Sequence, residues 1–479
     1  MAHPSTAEDN PGPELNGHTE DAVGQTQLAQ GVISPKRALF FALSGLALPV
    51  ILAAQGATMA YSSAWSSWLA MLVGTVIVGT LAIIVARYAR RHLATGSLMS
   101  YVNLESGERL GSLVGVCLMV GYACMLTVFS ANMLVYLVSF VNSISSIEVN
   151  NHFAQVVIAA ALLAFGYWLV QRGVSVSVNV AVVLGWIGMP FIVYCIIAAV
   201  AHRGLDLTPQ LQLQDFSLAL FLPGVVLAFG IFSGFEGFTA LAMETANPRR
   251  TIPPILRAVV VCGGLVGVVG ILLTLPIMME NLDTLTEGSS PLSILADEGN
   301  VAIIGSIADA LIFLTSMGSL IVFISAAGRI VGTAAQDGML PRSLAHIDPK
   351  RHTPARATAA ICILSIIVLA VFVLVIGRPM FTTFIDLFTM SSYSWLVAYV
   401  IVAVVGIMDS VRRRDIGFGA VSVLGLLGTG FIIAYSIAEA EGASAGLVWT
   451  VLGTIAVLWC AGLIARRNEH RPDAADQLI

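Results

Sequence analysis

Long apolar runs separated by short polar connections dominate this chain. A hydrocarbon core about 30 Å thick needs roughly 20 apolar residues in a helix that crosses it, and unpaired backbone groups are costly inside it. The chain offers about twelve runs of that length, and each is predicted to be a transmembrane helix. We place these spans near residues 36–60, 66–87, 110–142, 152–171, 175–201, 217–244, 252–280, 301–335, 355–377, 380–408, 416–437 and 445–465.

Composition supports the same interpretation. Hydrophobic residues make up 57% of the chain and charged residues 11%, with a mean hydropathy of +0.89. An ordinary soluble domain carries about 25% charged residues. We therefore predict an all-α membrane protein whose surroundings are the lipid bilayer, and we expect no nucleic-acid partner. The sequence leaves the oligomeric state open.

Residues that could support catalysis or metal binding do not group together. All six cysteines fall inside apolar runs without close pair spacing, which is typical of small packing residues. The histidines lie in the tails and connections, so no histidine proton relay through the membrane is expected. No nucleophile, base and orienting group occur together in any loop. We predict neither an enzyme nor a metal site, and no cofactor.

The distribution of cations predicts the orientation of the spans. Cytoplasmic connections carry an excess of Lys and Arg, and this holds here if the number of spans is even and both termini are cytoplasmic. The outer connections then keep only Arg203 and Arg378. The inner connections collect Lys36, Arg37, Arg87, Arg90, Arg91, Arg109, Arg172, Arg249, Arg250, Arg342, Lys350, Arg351, Arg356, Arg412, Arg413, Arg414, Arg466 and Arg467, and the inner-end cations Arg257 and Arg329 fit the same orientation. The predicted location is the cytoplasmic membrane.

Outside the spans, residues 1–33 are polar and rich in Pro, Gly and acidic groups, which indicates a disordered cytoplasmic tail. A second tail is expected over 466–479. The membrane domain would then cover 34–465.

Two of the spans contain residues that interrupt a helix. Breaks inside a membrane helix survive only where protein or a water-filled cavity covers the freed backbone groups. The first span carries Ala47, Leu48 and Pro49, followed by Gln55 and Gly56, and the sixth carries Gly230, Gly234 and Gly237 around the acid Glu236. These positions correspond if the first ten spans form two five-helix repeats, over about 36–201 and 217–408, with appended helices over 416–465. Interrupted helices at corresponding positions point to a transporter binding site at the midplane.

Three ordered motifs resemble those of the amino acid-polyamine-organocation permeases, the APC superfamily. The first is matched by Gly234, Phe235, Glu236, Glu244, Asn247, Pro248, Arg249, Ile252 and Pro253. The second is matched by Arg329, Asp337, Gly338, Leu340, Pro341, Thr353 and Pro354, and the third is similar at Arg90, Gly96, Ser97, Tyr101, Gly111, Gly121 and Tyr122. The resemblance covers roughly residues 34–465.

The resemblance implies the five-plus-five inverted-repeat (LeuT-like) fold with two appended helices. It also implies a substrate held between broken spans one and six and walled by spans three, eight and ten. In the family, free amides of span one usually hold a carboxylate, and carbonyls of span six hold an amino group. This chain departs from the family because Ala47, Leu48 and Pro49 replace the usual Gly-Ser/Thr-Gly cluster. The lysine that some members carry in span five is also missing.

The candidate site residues have competing interpretations. Glu236 is either a proton-coupling or amine-binding group, or a structural carboxylate that caps freed amides. Phe232 and Phe235 could cover the substrate or only pack, Tyr122 could reach the site with its hydroxyl, and Ser233 and Gly234 lie inside the break. Thr315, Ser316 and Ser319 share about one face of span eight and form either a possible ion site or a close packing surface. Arg329 is expected to snorkel or to pair with a cytoplasmic acid.

These features predict a secondary transporter of amino acids or related amines that works by alternating access and is driven by protons, with sodium the less favoured ion. Two alternatives remain open. The chain could be an ion-independent exchanger of amino acids and amines, or a membrane sensor that has this fold without transport.

Overall fold

The computed structural model describes residues 28–144, 151–286, 290–438 and 442–469. Eleven helices in this part of the chain are long and apolar enough to cross a membrane, and the shorter apolar helix Leu218–Ile231 supplies the twelfth span. No strand forms among these residues. The prediction of an all-α membrane protein with about twelve spans is confirmed.

The spans agree with the predicted runs to within a few residues. Their helices are, in order, Pro35–Gly45 with Leu48–Ser63, Ser67–Arg91, Glu108–Ile144, His152–Val170, Val174–Ile187 with Met189–Arg203, Leu218–Ile231 with the 3₁₀ helix Gly237–Leu241, Pro248–Glu280, Ala302–Gln336, Ala355–Ala370 with the π-helix Val371–Val375, Met380–Arg413, Ile416–Ala438 and Gly442–Glu469. Shorter helices in the connections are Ala64–Ser66, Leu98–Ser106, Thr208–Leu211, Leu282–Thr286, Pro291–Glu298 and Arg342–Ala345.

Span one breaks between Gly45 and Leu48. Ala47 adopts the left-handed conformation, with φ 54° and ψ 48°, and so turns the chain out of the first helix. Pro49 stands in the first turn of the second helix, where its missing N–H costs no hydrogen bond. The helix therefore stops and restarts at the position that the sequence indicated.

Span six breaks over a longer stretch. Its first helix ends at Ile231, and Gly234 has a φ of +82°, which glycine adopts without strain. From Phe232 onward the backbone amides bond to carbonyls three residues earlier, as in Gly237 N to Gly234 O at 2.8 Å and Thr239 N to Glu236 O at 2.8 Å. The second half of the span is thus a series of tight turns and a 3₁₀ helix, not a regular α-helix.

The long spans three, eight and ten form the centre of the bundle. Span three packs along both of the others, and 83% of its most apolar 18-residue stretch is buried inside the protein. The buried share of the corresponding stretch is only 28% in span eleven and 17% in span twelve, so the two appended spans lie at the periphery. Span seven packs against spans one and two, and span eleven packs against spans two and ten.

The described part of the chain begins seven residues before span one, inside the predicted tail. The backbone from Leu28 to Ile33 runs beside the end of span six. Ile33 donates to Glu244 O at 2.9 Å and accepts from Ala246 N at 2.9 Å, and Leu28 is buried. Backbone groups at the end of span six thus supply the hydrogen-bond partners that the backbone of these polar residues would otherwise lack. Residues 1–27 lie outside the described part of the chain.

The last helix continues to Glu469, four residues into the segment predicted as the second tail. Residues 470–479 are outside the described residues.

Candidate functional site

Glu236 is completely buried in the break of span six. Its Oε1 accepts from Trp395 Nε1 at 3.0 Å and its Oε2 accepts from Tyr399 Oη at 2.5 Å. The Tyr399 hydroxyl also accepts from the Gly234 amide at 3.1 Å, one of the backbone groups that the break frees from helical bonding. Span ten therefore fixes both the carboxylate and the turn that carries it.

Sequence reasoning missed Trp395 and Tyr399. Both are fully buried and lie four residues apart on span ten, so their polar atoms point to one side of the helix. Two aromatic donors at that spacing, in a span that the resemblance placed at the site wall, were the signal that could have identified them.

Aromatic rings close around this carboxylate. Tyr122 of span three lies with its ring centroid 5.0 Å from Trp395 and 5.6 Å from Phe323 of span eight. Its hydroxyl lies against Gly237, where a side chain would collide with it. This hydroxyl is buried and has no hydrogen-bond partner within the described residues. Spans three, eight and ten thus meet the second half of span six through aromatic side chains.

Of the other predicted residues of span six, Phe232, Ser233 and Phe235 are buried and Gly234 is half-buried, and they face different neighbours. Phe235 packs on Tyr399 with ring centroids 5.7 Å apart. Phe232 lies against Gly263 of span seven, which also faces Leu46 beside the break in span one. The Ser233 hydroxyl is buried and lacks a partner among the residues that the structure describes. The structure therefore groups Gly234, Phe235 and Glu236 with span ten and places Phe232 between span seven and the break in span one.

Span one divides its candidates in the same manner. Ala47, Leu48 and Pro49 form the break itself. Gln55 and Gly56 lie about 12 Å further along the helix at a rise of 1.5 Å per residue, and Gly56 packs directly on Thr274 of span seven. The first three residues are brought to the break region, whereas Gln55 and Gly56 are not.

The three hydroxyls of span eight point in two directions. Ser319 donates to Ser44 O at 2.6 Å, which ties span eight to the last turn before the break in span one. Ser316 accepts from Asn132 of span three at 2.9 Å. The buried Thr315 hydroxyl, near Gly188 of span five, has no partner within the described residues. The three side chains do not converge on one point, although Thr315 and Ser319 share the face toward spans one and five.

A buried ion pair lies below the break. Arg329 Nε and Nη2 donate to Glu244 Oε1 at 2.8 and 2.6 Å, and Nη1 donates to Ser325 O at 2.6 Å. Both side chains are at most 3% exposed. The expectation that Arg329 pairs with an acid instead of reaching the site agrees with this geometry. The Leu28–Ile33 segment runs along the backbone of Glu244 at the same end of the bundle.

A comparison with known protein families decides the classification. The family model described as amino acid permease matches residues 33–462, which is most of the chain. The chain belongs to the amino acid permease family. This confirms the resemblance to the APC superfamily, and the family is one of transporters, not of enzymes.

Individual relatives are more distant. An uncharacterized transporter of Mycobacterium tuberculosis is 25% identical over 310 residues, or 64% of this chain and 66% of the relative. Cationic amino acid transporter 4 of Homo sapiens is 26% identical over 197 residues, 39% of this chain and 28% of the relative. The vacuolar cationic amino acid transporter 4 of Arabidopsis thaliana is 25% identical over 297 residues, 58% and 48% of the two chains. The matches span just under two thirds of the mycobacterial relative and less of the others.

Proposed function

We propose that this permease is a secondary active transporter of amino acids or related amines that works by alternating access and is coupled to protons. The observation that carries the proposal is the carboxylate of Glu236, which is buried inside the broken span and bound only by neutral donors, Trp395 and Tyr399. Among the described residues it forms no ion pair. An intramembrane acid of this kind is by default a functional group, because hydrocarbon does not tolerate it otherwise.

The substrate would lie beside the carboxylate, between the two breaks. The second helix of span one begins at Leu48, so its positive end is available for an anionic group. Pro49 removes one of the donors that such an end normally offers, which makes a full amide cradle impossible here. The unpartnered hydroxyls of Ser233 and Tyr122 supply polar groups instead. We accordingly assign Ala47, Leu48, Pro49, Tyr122, Phe232, Ser233, Gly234 and Phe235 to the binding site and leave out Gln55 and Gly56.

Burial of this region supports alternating access. Ser233 is 3% exposed, Glu236 is fully buried and Gly234 is half-buried, so the break is largely shielded from solvent in the present conformation. The Glu244–Arg329 pair and the Leu28–Ile33 segment close the end of the bundle below it. Entry or release of a solute would require these contacts to open while the opposite end closes.

The names of two relatives support amino acids as the substrate class, since both are cationic amino acid transporters. The excess of cations in the predicted inner connections supports a cytoplasmic location for both termini and the cytoplasmic membrane as the site of action.

Uptake into proteoliposomes tests the proposal. Purified protein is reconstituted and offered a panel of cationic and neutral amino acids and polyamines, with an inward proton gradient and without sodium. We expect uptake of at least one amino acid that depends on the gradient and changes between about pH 5 and pH 8, because a protonated group must exchange its proton during the cycle. Glu236→Gln should still bind substrate but lose this pH response. Glu280→Gln, a change of the same kind at an exposed acid, should retain it.

Other outcomes favour the alternatives. Uptake that requires preloaded internal solute and ignores the gradient would indicate an exchanger. Sodium-dependent uptake lost in Thr315→Ala would move the coupling site to span eight. No accumulation of any solute, with substrate binding still measurable by thermal shift, would indicate a sensor.

A further inference from the structure

A cavity far from the break lies on the outside of the bundle, where spans two, seven and eleven meet. It has a volume of about 490 Å³ and three arginines line it: Arg87 and Arg90 from span two and Arg257 from span seven. Asp415, Gly417 and Phe418 at the start of span eleven complete the wall. This is the bundle end assigned above to the cytoplasm.

Within the described residues, Arg87 alone among the three arginines is held in an ion pair. Arg87 donates to Asp415 Oδ2 at 2.5 Å and stacks over the Phe418 ring at 3.9 Å. The same bond holds the pKa of the Asp415 carboxyl below its ordinary value, so this acid stays ionised and keeps Arg87. Arg90 and Arg257 are both exposed and form no ion pair within the described residues. Arg257 donates one hydrogen bond, from Nε to Pro253 O at 3.4 Å, so both guanidinium groups keep donors and an uncompensated charge for an anion.

The helix faces next to these two arginines are apolar and exposed. Val76 and Ile83 precede Arg90 at intervals of seven residues and are 60% and 43% exposed. Val261 and Leu265 follow Arg257 at intervals of four, and both are 63% exposed. Residues at these spacings share one face of a helix. Each arginine thus lies at the cytoplasmic end of an exposed apolar strip, formed by Val76 and Ile83 on span two and by Val261 and Leu265 on span seven, which extends toward the membrane interior.

We propose that the cavity binds the phosphate of an anionic phospholipid headgroup, with its acyl chains along the two apolar strips. The free charges fit the phosphate, and basic pockets between membrane helices on the cytoplasmic side are suited to such headgroups. The adjoining strips favour a lipid over a free phosphate, which would gain nothing from them. The proposal does not depend on the transport cycle.

Lipid binding by the full-length protein in detergent tests this assignment. Native mass spectrometry would follow titration with dioleoyl phosphatidylglycerol and, separately, with the neutral dioleoyl phosphatidylcholine. Since each cation near a membrane surface contributes about 1 kcal/mol, Arg90→Gln and Arg257→Gln should each weaken phosphatidylglycerol binding about fivefold, and the double variant on the order of 25-fold. Arg90→Lys should stay within about twofold of the wild type, because it retains the charge.

Arg342→Gln removes an exposed cation that does not line the cavity and should leave binding unchanged. Phosphatidylcholine binding should be the same in all variants. Unchanged phosphatidylglycerol binding in the double variant would overturn the proposal. It would also be overturned if inorganic phosphate at equal concentration displaced phosphatidylglycerol from the wild type, because the site would then recognise a soluble anion.

Discussion

Glu236 and Glu244 lie eight residues apart in the same irregular half of span six, and both are completely buried. Their surroundings differ in charge. Glu244 accepts two hydrogen bonds from the guanidinium of Arg329, whereas Glu236 accepts from the indole of Trp395 and the phenol of Tyr399. The charge of Glu244 is balanced by a cation, whereas that of Glu236 is stabilised only by neutral hydrogen-bond donors.

Under the proposed function, this difference separates a structural acid from a coupling acid. Removing the charge of Glu244 would leave Arg329 buried without a counterion, which is strongly unfavourable. Removing the charge of Glu236 leaves no uncompensated ion behind. Of the two, only Glu236 can gain or lose a proton during a working cycle without breaking the structure around it.

Glu244→Gln should have the largest effect on stability. Breaking one side of a buried ion pair costs about 3–5 kcal/mol, and we expect a fall of that size in the free energy of unfolding. Chemical denaturation in detergent, followed by tryptophan fluorescence, measures it. Pairing the change with Arg329→Met removes the orphaned charge and should recover most of the loss. A single variant as stable as the wild type would show that the pair is not structural.

Tyr399→Phe should have an intermediate effect. It removes a donor to Glu236 and the acceptor of the Gly234 amide, and a buried polar group without a partner costs about 1–3 kcal/mol. The same denaturation measurement applies. Tyr393→Phe on the same helix is the matched control, since no hydrogen bond joins the Tyr393 hydroxyl to the described residues, and it should change stability by about 0.5 kcal/mol or less. Equal effects of the two changes would contradict the role given to Tyr399.

Glu236→Gln should have the smallest effect on stability, about 1 kcal/mol. The amide keeps the shape of the side chain and one acceptor oxygen, so it loses mainly the difference between charged and neutral hydrogen bonds. The contrast with Glu244→Gln is the sharpest test of the comparison. If both changes destabilise the protein equally, Glu236 belongs with the structural acids and the proton-coupling proposal loses its basis.

The sequence was sufficient for the spans and for the places where two of them break. Apolar runs fix the length of each helix because the membrane fixes its thickness, and Gly234 and Pro49 mark the breaks by their own backbone restrictions. The sequence also singled out Glu236 as a candidate, since an acid in such a run has few explanations.

Which side chains meet at the break could not be read in the same manner. Trp395 lies 159 residues from Glu236 in sequence, and only the packing of span ten on span six brings them together. Gly56 shows the converse, because it was grouped with Pro49 as a candidate in the same span. Helical rise carries Gly56 away from the break and into contact with span seven.

The pairing of Ile33 with the backbone of Glu244 and Ala246 has a mechanical consequence. Residue 33 lies just before span one, so these hydrogen bonds join the start of span one to the end of span six. A rotation of the first helix of span one must therefore also move the end of span six, or else break these two hydrogen bonds. The two broken spans are therefore coupled at this end of the bundle, whereas each can bend independently at its own break.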